Sequence, residues 1–193
     1  MLRKRKRQLV KRGLNSLSKS DIIQLIKNGV TMKVGFNCST FDLFHAGHVT
    51  MLREEKRHCD YLIVALQYDP TIDRPDTKNK PVQSVYERFV QVSACKYVDE
   101  VLIYATEEDL LNILKTQHID VRFLGDEYKT KEFTGKQWCL DHGIELFYHE
   151  RQHPYSSSNL RKRVYEAEMV KQGWFSQHMF DMANQTEKNT PTV

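Results

Sequence analysis

From residue 30 to about residue 170, short apolar stretches alternate with amphipathic ones about five times, and the links between them are short. The strand-like stretches are VTMKVGFN (30–37), YLIVALQ (61–67), EVLIY (100–104), VRFLG (121–125) and IELFY (144–148). Between them lie segments with helical spacing. Residues 47–58 place Val49 and Leu52 on one side, and SVYERFVQVSACK repeats Val85, Phe89 and Val92. TEEDLLNILKT opens with the capping-box pair Thr106 and Asp109 and continues with Leu110, Ile113 and Leu114. GKQWCLDHG is a short helix closed by Gly143, and a last helix runs from Ser156 through Leu160, Val164 and Ala167. YLIVALQ is apolar at nearly every position, as a strand covered on both faces must be. Such alternation predicts an α/β fold: a Rossmann-like five-stranded parallel sheet, joined by right-handed crossovers, with helices on both faces. Ligands of such sheets bind beyond the carboxyl ends of the strands. The loops after the first, second, fourth and fifth strands all fall at that end and predict one shared site.

Ahead of this body, SKSDIIQLIKNG carries Ile22, Leu25 and Ile26 at helical spacing, with a capping Ser20 or Asp21 and a closing Gly29. It predicts a short N-terminal helical extension. MLRKRKRQLVKRG holds seven basic residues and no acid, which accounts for much of the net charge of +4. No apolar h-region follows it, so it does not read as a secretory signal. It reads as a solvated arm, or as a segment drawn weakly to an anionic membrane surface; nothing else in the chain points to nucleic acid. The expected organisation is a basic arm and short helix over 1–30, a catalytic domain over 31–170, and a helix end with a frayed tail over 171–193. No apolar run approaches the 18 residues of a membrane span. Cys38, Cys59, Cys95 and Cys139 are widely spaced, a pattern that suits reduced thiols and a cytoplasmic protein.

FDLFHAGH (41–48) follows the first strand and opens the first helix of the body. Its two histidines, three apart, admit three readings. They are satisfied core side chains; or they ligate zinc, which needs two further nitrogen or sulfur donors, with Cys38 near but no CxxC or HExxH beside them; or they face an anion. For the third, a helix starting near Gly47 offers free backbone N–H groups, and glycine leaves room for a phosphate to approach. Imidazole N–H groups there would stabilise charge growing on phosphate oxygens. Asp42 would then fix a histidine tautomer or help to hold a magnesium ion with the phosphates.

STFDLFHAGH resembles the signature of the cytidylyltransferases, nucleotidyltransferases built on an HxGH motif. YERFVQVSACKYVDEVL resembles that family's arginine-bearing helix and the R-Y-V-D-E-V segment, with Lys96 in place of the arginine. FLGDEY resembles its G-D-D/E-aromatic loop, and RQHPYSSSNLRKR its R-T-E-G-I-S-T-T/S element. The four elements occur in order over about residues 31–165, nearly the whole body. The nearest branch by resemblance is glycerol-3-phosphate cytidylyltransferase, beside choline- and ethanolamine-phosphate enzymes and adenylyl-transferring relatives that act on heptose phosphates.

The resemblance implies transfer of CMP from CTP to a phosphorylated alcohol, first of all sn-glycerol 3-phosphate, with Mg2+ as cofactor and a homodimer as the assembly. It implies catalytic roles for His45, His48, Arg151 and Lys78. Thr40, Phe41, Asp42, Gly47, Asp126, Ser156, Ser157 and Ser158 would bind nucleotide. Lys80, Arg88, Glu127 and Tyr128 would bind substrate, and Asp42 would serve the metal. Bland alternatives stand beside several of these: a helix cap for each serine, a solvated loop for the lysines, and a surface ion pair with Glu87 for Arg88. Ser39 stands where the family has glycine, Gln152–Tyr155 replace Thr-Glu-Gly-Ile, and Tyr128 replaces tryptophan. These departures leave open an adenylyltransferase acting on a sugar phosphate or coenzyme precursor, and a nucleotide-binding regulator without turnover.

Overall fold

The computed structural model describes residues 32–150 and 154–173. The basic arm and helix expected over 1–30, the tail beyond 173, and Arg151 lie outside the described residues. Five strands form one sheet: β1 (Val34–Ser39), β2 (Tyr61–Gln67), β3 (Glu100–Tyr104), β4 (Val121–Gly125) and β5 (Glu145–His149). All pairings are parallel and the spatial order is β3-β2-β1-β4-β5. The connecting helices are α1 (Ala46–His58), α2 (Val85–Ser93), α3 (Glu107–Thr116) and α4 (Lys136–Asp141). The α/β alternation read from the sequence is therefore the fold. The first strand starts at Val34, later than expected, and β5 extends through His149.

β2 explains its own apolar run. Leu62, Val64 and Leu66 join one core with Leu52 and Val92 from α1 and α2, whereas Ile63 and Ala65 join the opposite core with Leu110 and Leu114 from α3. Each face of the sheet thus has a helical cover, and alternate residues of one strand serve both. On α1 the buried positions are Gly47, Leu52 and Glu55, while Val49 is 36% exposed. The Val49–Leu52 stripe expected from the sequence is thereby replaced by one that includes a carboxylate. Glu55 is tolerated there because Asn37 of β1 and His149 of β5 both contact it.

β1 sits at the centre and faces its two neighbours unequally. It pairs with β2 over six positions, Val34 to Ser39, but with β4 only at Gly35–Val121 and Phe36–Arg122. Beyond Phe36 the two strands part toward their carboxyl ends. This is where the strand order reverses, and a crevice opens at such a switch point in doubly wound sheets. Gly35 keeps the start of the pair close: a Cβ there would lie 2.5 Å from Phe123 Cε2 and 2.7 Å from Cys59 Sγ.

The chain divides into two compact units, one up to Pro154 and one from Tyr155. Within the second, helix α5 (Ser157–Lys171) is capped by Ser156, whose hydroxyl accepts the Asn159 N–H at 3.1 Å. No helix among the described residues is long and apolar enough to cross a membrane.

Candidate active site

The histidine loop leaves β1 at the switch point and turns sharply. Phe41 and Leu43 both adopt positive φ, 52° and 50°. Bulky side chains there cost about 1–3 kcal/mol each and persist only where the surroundings over-determine them. Phe41 is anchored by burial in the α1–α2 core. The turn then places His45 as the N-cap of α1.

The two histidines form a capping box with each other. The Gly47 N–H donates to His45 Nδ1 at 3.0 Å, and the His45 N–H donates to His48 Nδ1 at 3.4 Å. An imidazole that accepts at Nδ1 is neutral and carries its proton on Nε2. Both rings therefore hold an Nε2–H donor, with the tautomer set by the main chain. The tautomer-fixing role considered for Asp42 passes to these two backbone groups. The rings stack, centroids 3.9 Å apart and 18° between planes, and Phe44 continues the stack on His48 at 5.5 Å. The first turn of α1 contains no acidic residue, in contrast to that of α3 with Glu107, Glu108 and Asp109.

Asp42 is 5% exposed, and its Oδ1 accepts the Gln83 N–H at 3.0 Å. Among the described residues no group of three or more His, Cys, Asp or Glu side chains gathers as a metal cage would require. A zinc centre at the histidines does not fit this donor set; a magnesium ion needs only one or two carboxylates beside phosphate oxygens, a part for which Asp42 would be the side chain at hand.

Arg88 is 1% exposed, so the bland alternative of a surface ion pair with Glu87 does not hold. Its guanidinium donates to four main-chain carbonyls: Thr40 at 2.8 Å, Gln67 at 2.7 Å, Tyr68 at 2.6 Å and Gln83 at 3.1 Å. It therefore braces the carboxyl ends of β1 and β2. The arginine suits this task because its planar fork satisfies several carbonyls at once.

Across the crevice, Asp126, Glu127 and Tyr128 form a 3-10 turn directly after β4. Asp126 pairs with Lys129 at 2.5 Å. The Glu127 carboxylate folds back over Gly125, where a Cβ would lie 2.3 Å from its Oε2. Tyr128 is half-buried with its ring edge-on to Phe133, and burial pushes its phenol pKa up. Lys78 and Lys80 lie exposed on the long loop after β2. That loop is tied at one end by Arg74, which pairs with Glu107 at 2.9 Å, and by Asp73, which accepts the Glu107 N–H at 2.8 Å. Thr40 and Gly47 stand at the two ends of the histidine turn. Ser156 acts as the cap of α5, with Ser157 and Ser158 in its first turn. They belong to the second compact unit.

Three residues with no sequence signal now join the picture. Gln83 contacts the histidine loop through its backbone and side chain. Glu55 and His149, 2.8 Å apart, form a buried pair under the crevice, linking α1 to the end of β5. The only available hint was polarity at positions that a helix or strand would otherwise fill with apolar side chains.

Against known proteins, residues 36–163 match the family model described as cytidylyltransferase-like. The bifunctional protein HldE of Caulobacter vibrioides is 32% identical over 133 residues, which is 69% of this chain and 27% of that protein. The ethanolamine-phosphate cytidylyltransferase of Arabidopsis thaliana is 37% identical over 93 residues, 48% of this chain and 22% of that protein. The chain thus spans about a quarter of the length of these curated relatives. Among solved structures, the lipopolysaccharide core biosynthesis protein of Thermoplasma volcanium superposes with a TM-score of 0.54 at 25% identity, over 64% of this chain and all of that one.

Proposed function

The chain belongs to the cytidylyltransferase-like family, and from that premise we propose that it transfers CMP from CTP to a small phosphorylated alcohol, sn-glycerol 3-phosphate before others, releasing pyrophosphate. The observation that carries this reading is the pair of stacked histidines at the head of α1, each accepting a backbone N–H at Nδ1 and so leaving Nε2 to donate. In the reaction an oxygen of the acceptor's phosphate attacks the α-phosphorus of CTP. A new P–O bond forms, the bond from that phosphorus to the oxygen bridging to the β-phosphate breaks, and pyrophosphate leaves with the electron pair. The nucleophile is already ionised, so no covalent enzyme intermediate and no general base is needed. The protein's part is positioning and charge stabilisation.

His45 and His48 donate from Nε2 to the oxygens of the α- and β-phosphates, where charge accumulates as the bridging bond breaks. The positive end of α1 adds to the same field. Lys78, Lys80 and, from the sequence, Arg151 supply the cationic charge that a triphosphate requires. Asp126 at the end of β4 takes hydroxyl groups of the ribose or acceptor, flanked by Glu127 and Tyr128. By the sequence resemblance alone, Ser156, Ser157 and Ser158 would take the outer phosphates. Asp42 would help to hold Mg2+ together with the phosphate oxygens, and the ion would supply neutralisation of the triphosphate's charge. The working assembly is a homodimer.

The test is turnover by the purified chain with Mg2+ and radiolabelled CTP or ATP, each offered glycerol 3-phosphate, ethanolamine phosphate or a sugar phosphate. The expected result is pyrophosphate and a CDP-alcohol from CTP and glycerol 3-phosphate. Preference for ATP would move the chain to adenylyl transfer. Calorimetric binding of CTP with no product from any pair would make it a nucleotide-binding regulator.

A further inference from the structure

Gln83 holds the histidine loop with its main-chain N–H and its side-chain carbonyl, and holds Arg88 with its main-chain carbonyl. Its N–H donates to Asp42 Oδ1 at 3.0 Å, and its Oε1 accepts the Leu43 N–H at 2.8 Å. Its own carbonyl accepts from Arg88 Nε at 3.1 Å, while another nitrogen of the same guanidinium donates to the Thr40 carbonyl at 2.8 Å. Residues 40, 42 and 43 are thus clasped by residues 83 and 88, which lie 40 to 48 positions away. The clasp closes on the turn whose two ends, Phe41 and Leu43, have positive φ. A turn of that shape stays in place only if its surroundings define it. Burial fixes Phe41; at Leu43 the amide is fixed by the Gln83 side chain. Two residues later the chain reaches His45, whose ring and amide both belong to the capping box with His48.

We propose that Gln83 is a positioning residue for nucleotidyl transfer, acting through the Leu43 amide to aim the His45–His48 pair. The inference rests on the phosphate-facing role given to those histidines above. Gln83 also ends the long loop that carries Lys78 and Lys80, so one residue sets the lysine loop and the histidine turn in register. Side-chain length matters as well as chemistry: asparagine is one carbon too short to reach Leu43 from this backbone, and a methionine reaches but offers no comparable acceptor. Glutamate reaches and keeps the acceptor oxygen.

The experiment compares Gln83→Met with Gln83→Glu in the full chain. A displacement of the histidines by about an ångström predicts a fall in kcat on the order of a hundredfold for Gln83→Met. KM for CTP changes by less than about threefold, because the loss falls on the transition state rather than on ground-state binding. Gln83→Glu restores kcat to within about threefold of the wild-type value, since a carboxylate oxygen replaces the amide oxygen at Leu43. Wild-type kcat in Gln83→Met, or equal damage in both variants, overturns the proposal. Nitrogen-15 spectra of the imidazoles provide a readout that needs no turnover: Nε2–H tautomers at His45 and His48 in the wild type and in Gln83→Glu, mixed tautomers in Gln83→Met. Should the wild type turn over no nucleotide at all, the transferase reading fails. The clasp is then judged by these spectra, and unchanged tautomers in Gln83→Met would overturn it.

Discussion

His149 Nε2 lies 2.8 Å from Glu55 Oε1, and both side chains are buried where α1 crosses the end of β5. Asn37 of β1 donates to the same carboxylate oxygen, so three elements meet at one buried polar cluster. Burial raises the Glu55 pKa above its ordinary 4.5. For His149 burial acts downward, but the hydrogen bond and charge of Glu55, with Glu54 behind it, prevail and lift the pKa above 6.5. Both directions mean that the native state holds its protons to higher pH than the unfolded chain does. The contribution of Glu55 is therefore full below pH 4.5 and that of His149 below pH 6.5, and each is lost as pH rises through the group's folded pKa. Denaturant unfolding from pH 6 to pH 9 should show this decline in the wild type and a flatter profile in Glu55→Leu/His149→Leu. At pH 6, His149→Leu alone should cost about 3 kcal/mol by stranding the carboxylate, and the double variant less.

The histidine capping box lets helix capping be separated from chemistry. Asparagine is among the best N-cap residues and glutamine suits position N3 of a capping box. His45→Asn and His48→Gln each keep an acceptor for the backbone while removing an imidazole donor. Unfolding free energy should change by less than about 1 kcal/mol in either variant. If the rings stabilise phosphate charge, kcat should fall by about a hundredfold or more in each. Unchanged kcat with intact melting would reduce the two rings to caps.

Local features of this chain were readable before the structure, and long-range ones were not. The Thr106–Asp109 capping box was legible because both partners lie within one turn; it forms as expected, with reciprocal bonds of 2.9 and 3.1 Å. The covered strand YLIVALQ was legible because burial on two faces leaves no room for alternation. The histidines were legible as a pair, but their box was not, since histidine is an uncommon cap and its Nδ1 was not assigned to the backbone. The burial of Arg88 was not legible, for a physical reason. Its partners are carbonyl oxygens 20, 21 and 48 positions distant, and a carbonyl leaves no trace in a sequence. Glu55 and His149, 94 positions apart, each look like an ordinary polar residue until the fold joins them.

Because Arg88 ties four carbonyls together in a buried place, its loss should be felt in stability before it is felt in binding. Hydrogen bonds to a charged donor contribute about 1.5–3 kcal/mol each, and the stranded carbonyls add a desolvation cost. Arg88→Ala should lower unfolding free energy by about 4 kcal/mol or more. Arg88→Lys should rescue little, because an ammonium on a flexible stem cannot span the Thr40, Gln67, Tyr68 and Gln83 carbonyls together. Urea unfolding measures both. Full stability in Arg88→Ala with a weakened KM for CTP would return this residue to the ligand.

Gly35 tests how tightly the floor of the crevice is built. A methyl group there would meet the ring of Phe123 at 2.5 Å and the thiol of Cys59 at 2.7 Å, and neither neighbour has space to retreat in the core beneath α1. Burial also pushes the Cys59 thiol up to about 12, so it behaves as a small apolar filler rather than a reactive group. Gly35→Ala should therefore cost about 1–3 kcal/mol through overpacking, despite the better strand propensity of alanine. Pairing the change with Cys59→Gly removes one of the two clashing groups and should recover part of that loss, which a double-mutant cycle in urea would report as a favourable coupling. The same displacement would pry β1 from β4 where their pairing is only two residues long, at Gly35–Val121 and Phe36–Arg122. Turnover per folded molecule should consequently fall in Gly35→Ala even at temperatures where the variant is fully native, and recover with stability in the paired variant.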